Sequence, residues 1–413
     1  MTAHLAVVFA EGSASARELL ALADERDLRI TCIPGAGYED RSARRVLGAV
    51  GDVLDLPRAQ LPRALAERRV EGVVTFADTE LIRTAELCRE LALLGLPLEA
   101  AQTVRSKYRQ RVALNAAFAS DVDVVRVDPP EWPREAATLR YPAVLKPEHG
   151  VGSRDTIPVE DADAAAAAVR ALPGGEPFVL ESLITTESAV RNGWLGDYLS
   201  VESVVTDGEV RHFGVTDRLP LEPPFRERGD VVPSTLSPER QREVTALAER
   251  AVRALGIRHS VLHTEIKLAK TLAVIEVNAR LGGYVDALYR RIEIGSPLAA
   301  AVDVALGRPP EEPKAPSRCG VLRSVLPPAD ATRVLSLPDP HELGQVPGVW
   351  RVDRLNRPGD PVAWHEGTTG RVLDVWIDAA DHDEARQRLE LLEGVLDSTL
   401  SFERAPDQLF AAT

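Results

Sequence analysis

Short apolar runs alternate with longer amphipathic stretches over residues 5–93. A buried strand is a run of about four to eight apolar residues, whereas an amphipathic helix repeats its apolar positions at spacings of three and four. We therefore predict strands at 5–10, 29–33, 52–56 and 72–76, and helices at 15–24, 42–49, 60–69 and 79–93. Strands that alternate with helices predict a parallel sheet covered by helices. The intervening turn FAEGSAS has one glycine where a dinucleotide fingerprint needs three, so we interpret it as a helix start capped by Ser13 or Ser15.

A two-residue period, typical of β-strands, runs through residues 263–283, HTEIKLAKTLAVIEVNARLGG. The segment predicts a hairpin with its turn at Lys270 and Thr271. That turn pairs the polar residues of the two strands, Glu265 with Glu276 and His263 with Asn278. A slip of one residue would bury both glutamates, so the alternation fixes the register. We expect one polar face (His263, Glu265, Lys267, Glu276, Asn278) and one apolar face (Ile266, Leu268, Ala273, Ile275, Val277).

Two carboxylates directly opposite each other repel, and the hairpin is destabilised unless positive charge lies between them. Mg²⁺ takes oxygen ligands and is usually held by one or two carboxylates together with substrate phosphates. Glu265 and Glu276 are therefore candidate metal ligands, and Asn278 adds a neutral oxygen on the same face. The alternative is a solvated polar face on an edge hairpin. That alternative does not explain why Arg280, Gly282 and Gly283 follow directly.

The motifs H-T-E and, about ten residues later, E-V-N-A-R-L-G-G resemble the metal-binding end of the ATP-grasp ligases. The resemblance is strongest to the branch that joins a carboxylate to an amine, which includes the L-amino acid (dipeptide) ligases. It implies a multidomain α/β and α+β fold in three parts. These are a Rossmann-like domain at 1–103, an ATP-grasp core at 104–310 with a mobile lid at about 140–200, and an α+β extension at 311–413.

Lysine is scarce, with five among 49 Lys and Arg residues, so a lysine is expected mainly where arginine will not serve. Lys146 precedes the glycine-rich loop Gly150-Val151-Gly152-Ser153, whose backbone amides could approach phosphate closely. This order differs from a Walker loop, in which the lysine follows the glycines. Strand, lysine, proline, glycine loop and strand in this order resemble the ATP-grasp lid. The resemblance also implies that Lys107, on a helix predicted at 101–118, reaches the nucleotide phosphates.

For the nucleoside, the resemblance implies that the backbone beside Glu181 and Leu183 pairs with the adenine edge. A carboxylate a few residues later usually holds the ribose. Here residues 184–196 resemble an insertion, and Glu187 and Asp197 both remain candidates for the ribose. Residues 215–236 are rich in proline and charge, which predicts a long loop over the site.

Composition excludes several other classes of protein. The net charge of −14 and the absence of a basic run argue against nucleic acid and anionic membranes as partners. No stretch approaches the roughly 18 apolar residues of a membrane span. Three cysteines without paired spacing predict buried thiols in a reducing compartment, so we expect a cytoplasmic protein. His259 and His263 fall on a turn and a strand and do not predict a zinc helix.

The function implied is an ATP-dependent, ADP-forming ligase that joins a small-molecule carboxylate, such as an amino acid, to an amine. Arg280 and the amides of Gly282 and Gly283 are the candidate catalytic groups, which would stabilise negative charge. The cofactors implied are ATP and Mg²⁺, with Mn²⁺ as a substitute and two ions expected. Carboxylation or formyl transfer on the same fold, or an inactive nucleotide-binding protein, are the alternatives. A homodimer is left open.

The first prediction concerns Lys146. Arginine is planar and forked and should not reproduce a point contact from a lid strand to phosphate. We expect Lys146→Arg to lose most ATP turnover while its thermal unfolding matches the wild type. Lys314→Arg, in the proline-rich segment 309–316, is the control and should keep full turnover. Near-normal turnover of Lys146→Arg would remove Lys146 from the site.

Overall fold

A computed structural model describes residues 2–38, 41–118, 122–128, 132–171, 176–186, 193–269 and 271–405. The N-terminal part is a parallel sheet with strand order β3-β2-β1-β4. Its elements, with the helices between and after the strands, are β1 Ala3–Phe9, α1 Ala16–Arg26, β2 Leu28–Pro34, α2 Arg41–Val50, β3 Asp52–Val53, α3 Leu61–Glu67, β4 Gly72–Thr75 and α4 Leu81–Glu90. The predicted parallel sheet is confirmed, although β3 is shorter than expected. Of the two candidate caps for α1, Ser13 and Ser15, it is Ser15 that caps the helix, in a capping box with Glu18.

The helix predicted at 101–118 is two helices, α5 Leu98–Arg105 and α6 Lys107–Phe118. The break lies at Ser106, whose backbone is extended (φ −102°, ψ 109°). The Ser106 hydroxyl donates to the buried carboxylate of Glu148 and accepts the amide of Arg109 (3.2 Å). These bonds compete with a continuous helix. Lys107 therefore begins a helix instead of lying in the middle of one.

The next part is an antiparallel sheet of strand order β5-β8-β6-β7, with its own apolar core. It spans most of the segment predicted as the lid. Lys146 lies on β6, and the glycine-rich loop joins β6 to β7. The elements are β5 Val124–Arg126, α7 Trp132–Ala136, β6 Ala143–Pro147, β7 Ile157–Val159, α8 Ala162–Ala171 and β8 Phe178–Ser182.

An eight-stranded sheet of order β13-β12-β9-β10-β11-β14-β17-β16 forms the centre of the molecule. Its elements and the helices between them are β9 Tyr198–Thr206, β10 Glu209–Arg218, β11 Gly229–Val232, α9 Pro238–Ala254, β12 Ser260–Lys267, β13 Ala273–Asn278, α10 Val285–Arg291, α11 Pro297–Ala305 and β14 Cys319–Val325. Then follow β15 Ala331–Ser336, α12 Pro340–Leu343, β16 Val349–Arg354, β17 Leu373–Ala379, α13 His382–Thr399 and β18 Ser401–Arg404. β15 and β18 pair separately. The large sheet crosses residue 310, where we place the start of the C-terminal part.

The predicted loop at 215–236 is partly wrong. β10 extends to Arg218, and β11 pairs with it through Arg218 opposite Asp230. The proline-rich sequence between the two strands is a tight connection closed by Arg226, which donates to the carbonyls of Pro223 and Pro327. The described helices include none that is long and apolar enough to cross a membrane.

The β12–β13 hairpin has the predicted register, with Glu265 opposite Glu276 and His263 opposite Asn278. Lys270, at the predicted turn, lies outside the described residues. The apolar face was predicted wrongly at its far end, because a bulge next to Glu265 places Val274, not Ala273 or Ile275, in the core.

The buried side chain of Arg111 holds this bulge. Its guanidinium donates to the carbonyls of the extra residue, Ile275 (2.7 Å), and of the residue before it, Val274 (2.9 Å). A bulge re-aims the side chains next to it. Gln110 on the same helix fixes the following residue, since its side-chain oxygen accepts the amide of Val277 (2.7 Å). Glu276, between these anchored residues, is thus held in a defined position.

Candidate active site

The polar face of the hairpin continues onto the neighbouring strand. On β9, Glu202 lies opposite His263, and Ser200 lies opposite Glu265. Glu202 is 2% exposed, and its Oε1 lies 2.8 Å from His263 Nδ1. Buried charges persist where they are paired and hydrogen-bonded. The partner of the buried Glu202 carboxylate is therefore His263.

A buried arginine completes this row. Arg218 Nη2 lies 2.8 Å from His263 Nε2. A guanidinium carries only donors, so Nε2 accepts and the imidazole proton faces Glu202 from Nδ1. Arg218 also pairs with Asp230 (2.5 Å) and lies 3.5 Å from Glu227. Burial raises the pKa of Asp230 to about 6, against the opposing effect of Arg218. Arg218 and Asp230 were missed in the sequence, because they lie where we predicted a loop.

Lys107 joins the hairpin to the glycine-rich loop. Its Nζ donates to Glu276 Oε1 (2.7 Å) and to the carbonyl of Gly150 (2.9 Å). The side chain of Lys107 is 12% exposed and that of Glu276 is 20% exposed, so the ion pair is partly shielded from water. The structure thus brings together three groups that the sequence assigned to the same site.

The position of Lys107 follows from a set of bonds between the α5–α6 junction and the end of β6. The amide of Lys107 donates to the carbonyl of Glu148 (3.1 Å), and Arg105 Nη2 donates to the carbonyl of His149 (3.0 Å). The Glu148 carboxylate also accepts from Arg126 Nε (3.0 Å). Glu148 was missed because an acidic residue beside a proline carries no distinctive sequence pattern.

Lys146 donates to Glu181 Oε2 (2.8 Å), and Arg111 Nη2 lies 3.4 Å from the same oxygen. Burial opposes ionisation of Glu181, but Lys146 and Arg111 hold the pKa of its carboxyl below the usual range. Glu181 therefore acts as a counter-ion through its side chain. The amide of Leu183 donates to the carbonyl of Pro142 (2.9 Å).

Of the two ribose candidates, Glu187 lies outside the described residues. Asp197 is 39% exposed and accepts from Lys267 Nζ (2.8 Å) and from Thr186 Oγ1 (2.5 Å). Burial opposes the charge on Asp197, but these bonds hold the pKa of its carboxyl below the usual range.

Arg280, the residue we expect to stabilise negative charge, is anchored by the N-terminal part of the chain. Its Nε donates to Asp78 Oδ2 (2.8 Å), and its Nη1 donates to the carbonyl of Leu281 (3.0 Å). Burial disfavours the charged form of the Asp78 carboxyl, but the charge of Arg280 outweighs this effect and holds the pKa of Asp78 below the usual range. Asp78 follows β4, at the carboxyl edge of a parallel sheet where ligand sites commonly lie. Its position directly after a strand of the parallel sheet is the sequence signal that marks Asp78.

The two glycines after Arg280 differ in their surroundings. A Cβ on Gly282 would lie 2.6 Å from both His263 Nδ1 and Val285 Cγ2, so only glycine fits. A Cβ on Gly283 would have no neighbour within 4 Å, so the space beside this residue is open.

The glycine-rich loop has left-handed backbone at Gly152 (φ 60°) and Ser153 (φ 56°). It contacts a turn of the C-terminal part, Trp364–Gly370. The amide of Thr368 donates to the carbonyl of Gly152 (2.7 Å). We had assigned no role in the site to this turn.

The oxygen ligands on the hairpin fit a hard dication. Glu265, Glu276 and Asn278 offer oxygen atoms only, which suits Mg²⁺. Within the described part of the chain, no three His, Cys, Asp or Glu side chains form a metal-binding group. The predicted ligand set has only two glutamates, Glu265 and Glu276, and its third member is the amide of Asn278. It therefore falls below the three His, Cys, Asp or Glu side chains that define a metal-binding group of this kind.

Residues 139–287 match the ATP-grasp domain family. Over 98% of its length the chain superposes on 99% of an L-amino acid ligase from Bacillus licheniformis, with a TM-score of 0.77 and 22% identity. The chain is thus similar to the ATP-grasp family over residues 139–287 and shares the overall fold of that ligase. Its matching domain contains β6, the glycine-rich loop and the β12–β13 hairpin.

The sequence is also similar to a curated ligase and a curated synthase. It is 27% identical over 233 residues to the alanine–anticapsin ligase of Bacillus subtilis, covering 52% of this chain and 49% of the relative. It is 29% identical over 306 residues to carnosine synthase 1 of Gallus gallus, covering 68% of this chain and 31% of that relative. The chain thus spans about half the length of the Bacillus relative and 31% of the length of the Gallus gallus relative.

The second prediction concerns Asp78. Because its pKa is lower in the folded protein, its charge stabilises the fold above the unfolded pKa of 3.8, and this contribution disappears as pH falls through the folded pKa. We expect Asp78→Asn to lower the free energy of unfolding by about 2 kcal/mol at pH 7. The difference from wild type should shrink below about pH 4. Urea unfolding between pH 7 and pH 3 measures it.

Asp52→Asn is the control for Asp78, because the Arg29–Asp52 pair is exposed (56% and 61%). Its cost at pH 7 should be below about 1 kcal/mol. A penalty for Asp78→Asn that is equally large at pH 3 and pH 7 would show that shape matters at this position and charge does not.

The third prediction concerns the opposed carboxylates. Glu276→Gln relieves repulsion with Glu265 but loses the pair with Lys107, so the free protein should change by less than about 1 kcal/mol. The same variant should lose the rise in melting temperature produced by Mg²⁺ with ATP. Glu67→Gln, in the exposed pair with Arg63, should keep that rise. If Glu276→Gln unfolds far more readily without ligand, the role of Glu276 is structural.

Proposed function

We propose that this chain is an ATP-dependent, ADP-forming ligase that joins a carboxylate, an amino acid or a related acid, to an amine through an acyl phosphate. The observation that carries the proposal is the position of Lys107, which bridges the glycine-rich loop and Glu276. A cation at this junction lies between a loop suited to phosphates and a carboxylate suited to a dication. The similarity to ligases of amino acids supports the same reaction class.

In this proposal Lys107 and Lys146 bind the ATP phosphates, with the amides of Gly150, Gly152 and Ser153 covering them. Both lysines are held by acids, Glu276 and Glu181 respectively. The acids keep the ammonium groups in place before ATP binds, which lowers the entropy cost of positioning them. Lys107 would exchange part of its contact with Glu276 for phosphate.

Glu265, Glu276 and Asn278 would hold Mg²⁺, or Mn²⁺ in its place, with two ions as the expected number. When bound, the metal offsets the negative charge of the phosphates. The backbone beside Glu181 and Leu183 would face the adenine. For the ribose, Asp197 is partly exposed and Glu187 is the other candidate.

The chemistry takes place in two steps. The substrate carboxylate attacks the γ-phosphorus of ATP, the bond to the bridging oxygen breaks, and ADP leaves. The amine then attacks the acyl carbon, loses a proton, and displaces inorganic phosphate. Arg280 and the amides of Gly282 and Gly283 would stabilise the negative charge that develops in both steps. The anchoring of Arg280 by Asp78 keeps its guanidinium oriented towards that charge.

The three-part division at 103 and 310 and a cytoplasmic location complete the proposal. All three cysteines are buried free thiols, as expected in a reducing compartment. Burial raises the pKa of each thiol to about 12, so none is suited to act as a nucleophile.

The fourth prediction tests the intermediate. Amino acids labelled with heavy oxygen in the carboxylate are supplied as a panel with ATP, Mg²⁺ and amines. One labelled oxygen should pass to inorganic phosphate for each amide formed, and hydroxylamine in place of the amine should give a hydroxamate. Arg280→Ala should suppress both signals by on the order of 3 kcal/mol of activation free energy. Arg63→Ala, 87% exposed, should change neither.

Label in AMP, with release of pyrophosphate, would replace the acyl phosphate by an acyl adenylate. Phosphate release that needs bicarbonate or formate in place of the amino acid carboxylate would assign the site to carboxylation or formyl transfer. ATP binding without any turnover over the whole panel would leave a nucleotide-binding protein.

A further inference from the structure

Two backbone hydrogen bonds join the glycine-rich loop to the C-terminal turn Trp364–Gly370. The amide of Thr368 donates to the carbonyl of Gly152 (2.7 Å). The amide of Asp155 donates to the carbonyl of His365 (3.0 Å). The two bonds run in opposite directions and lie on either side of Ser153. The loop that would cover the phosphates is therefore held from outside its own sheet.

The backbone at Gly367 makes this close approach geometrically possible. Its conformation (φ 66°, ψ −144°) is one that residues with a Cβ rarely adopt. An added Cβ would lie 2.6 Å from the amide nitrogen of Arg154 and still closer to the carbonyl oxygen of Gly152. The contact is backbone against backbone, and it leaves no room for a side chain.

The same turn also contacts two segments beside the site. The Thr368 hydroxyl accepts the amide of Glu227 (3.1 Å), in the connection between β10 and β11. Arg371 donates to the carbonyl of Thr368 (3.3 Å) and stacks over the ring of Tyr284, 4.8 Å from its centroid. Tyr284 directly follows Gly283. The turn and the residue that follows it, Arg371, thus contact the loop over the phosphates and the residue next to the proposed charge-stabilising amides.

We propose that the turn Trp364–Gly370 is the docking surface of the glycine-rich loop, and that Gly367 and Thr368 are positioning residues for phosphoryl transfer. The proposal rests on the function proposed above. The loop between β6 and β7 has two glycines and three residues in left-handed backbone, Gly152, Ser153 and Asp155. Such a loop has many accessible conformations, and bound phosphates need one of them. Docking selects that conformation and also excludes water, which would otherwise hydrolyse an acyl phosphate before the amine arrives.

The fifth prediction compares Gly367→Ala with Gly359→Ala. Both glycines have positive φ (66° and 96°), but a Cβ on Gly359 meets nothing within 4 Å. Gly367→Ala should lower kcat on the order of 100-fold, as expected when reacting groups are misplaced by about 1 Å. It should also raise the ratio of phosphate released to amide formed, because water gains access. Gly359→Ala should leave both quantities at wild-type values.

Hydrogen exchange measures docking without any substrate. In the free protein, the amides of Asp155 and Thr368 should be protected in wild type and in Gly359→Ala, and should exchange faster in Gly367→Ala. Equal protection in all three proteins overturns the docking surface, whether or not the chain proves to be a ligase. If the two amides lose protection in Gly367→Ala while kcat and the ratio of phosphate released to amide formed stay unchanged, the positioning role of Gly367 is overturned.

If Gly367→Ala does not fold, Thr368 provides the same test. Thr368→Val keeps the shape but removes the acceptor for the amide of Glu227, whereas Thr368→Ser retains it. We expect Thr368→Val to raise the uncoupled release of phosphate and Thr368→Ser to restore coupling. Identical coupling in the two variants would overturn the role of Thr368. Absence of ATP-dependent turnover in wild type would refute the proposed function and leave the exchange result to decide on docking.

Discussion

Two negative charges on neighbouring strands impose the main constraint on this structure. Glu265 and Glu276 lie opposite each other on the edge hairpin of the large sheet. Without a dication, their repulsion has to be offset by cations of the protein itself. Lys107 pairs with Glu276, and a second cation, Arg218, donates to His263, which lies 3.6 Å from Glu265. Each of these cations is in turn fixed by other elements, so the charge balance of the hairpin extends through the lid junction and the neighbouring strands.

The site is completed by residues distant in sequence. The N-terminal part contributes Asp78, which holds Arg280 across 202 residues. The C-terminal part contributes the turn that meets the glycine-rich loop. The ATP-grasp domain at 139–287 contains neither of these contributions, nor Lys107. A description of the site limited to the matching domain would therefore omit the groups that orient its arginine and its phosphate loop.

Local sequence patterns predicted the parts of the structure that depend on local physics. The parallel sheet followed from apolar runs and amphipathic spacing, and the hairpin register followed from strict alternation. The bulge in β13 could not be predicted, because it depends on Arg111, which lies more than 160 residues from the carbonyls it binds. The helix break at Ser106 depends similarly on Glu148. The partners of Arg280 and Gly367 could not be predicted, because a single sequence does not show which distant segments come into contact.

The continuity of the large sheet also bears on how this chain can be divided. β11 has only four residues, all of them buried, and it is paired on one side to β10 and on the other to β14. A fragment ending near residue 310 would lose β14 and expose one edge of β11, with the buried Val231 and Val232 beside it. An unpaired apolar edge is a template for association with other chains. The C-terminal part thus protects the core against aggregation, and its removal would lower solubility before any question of catalysis arose.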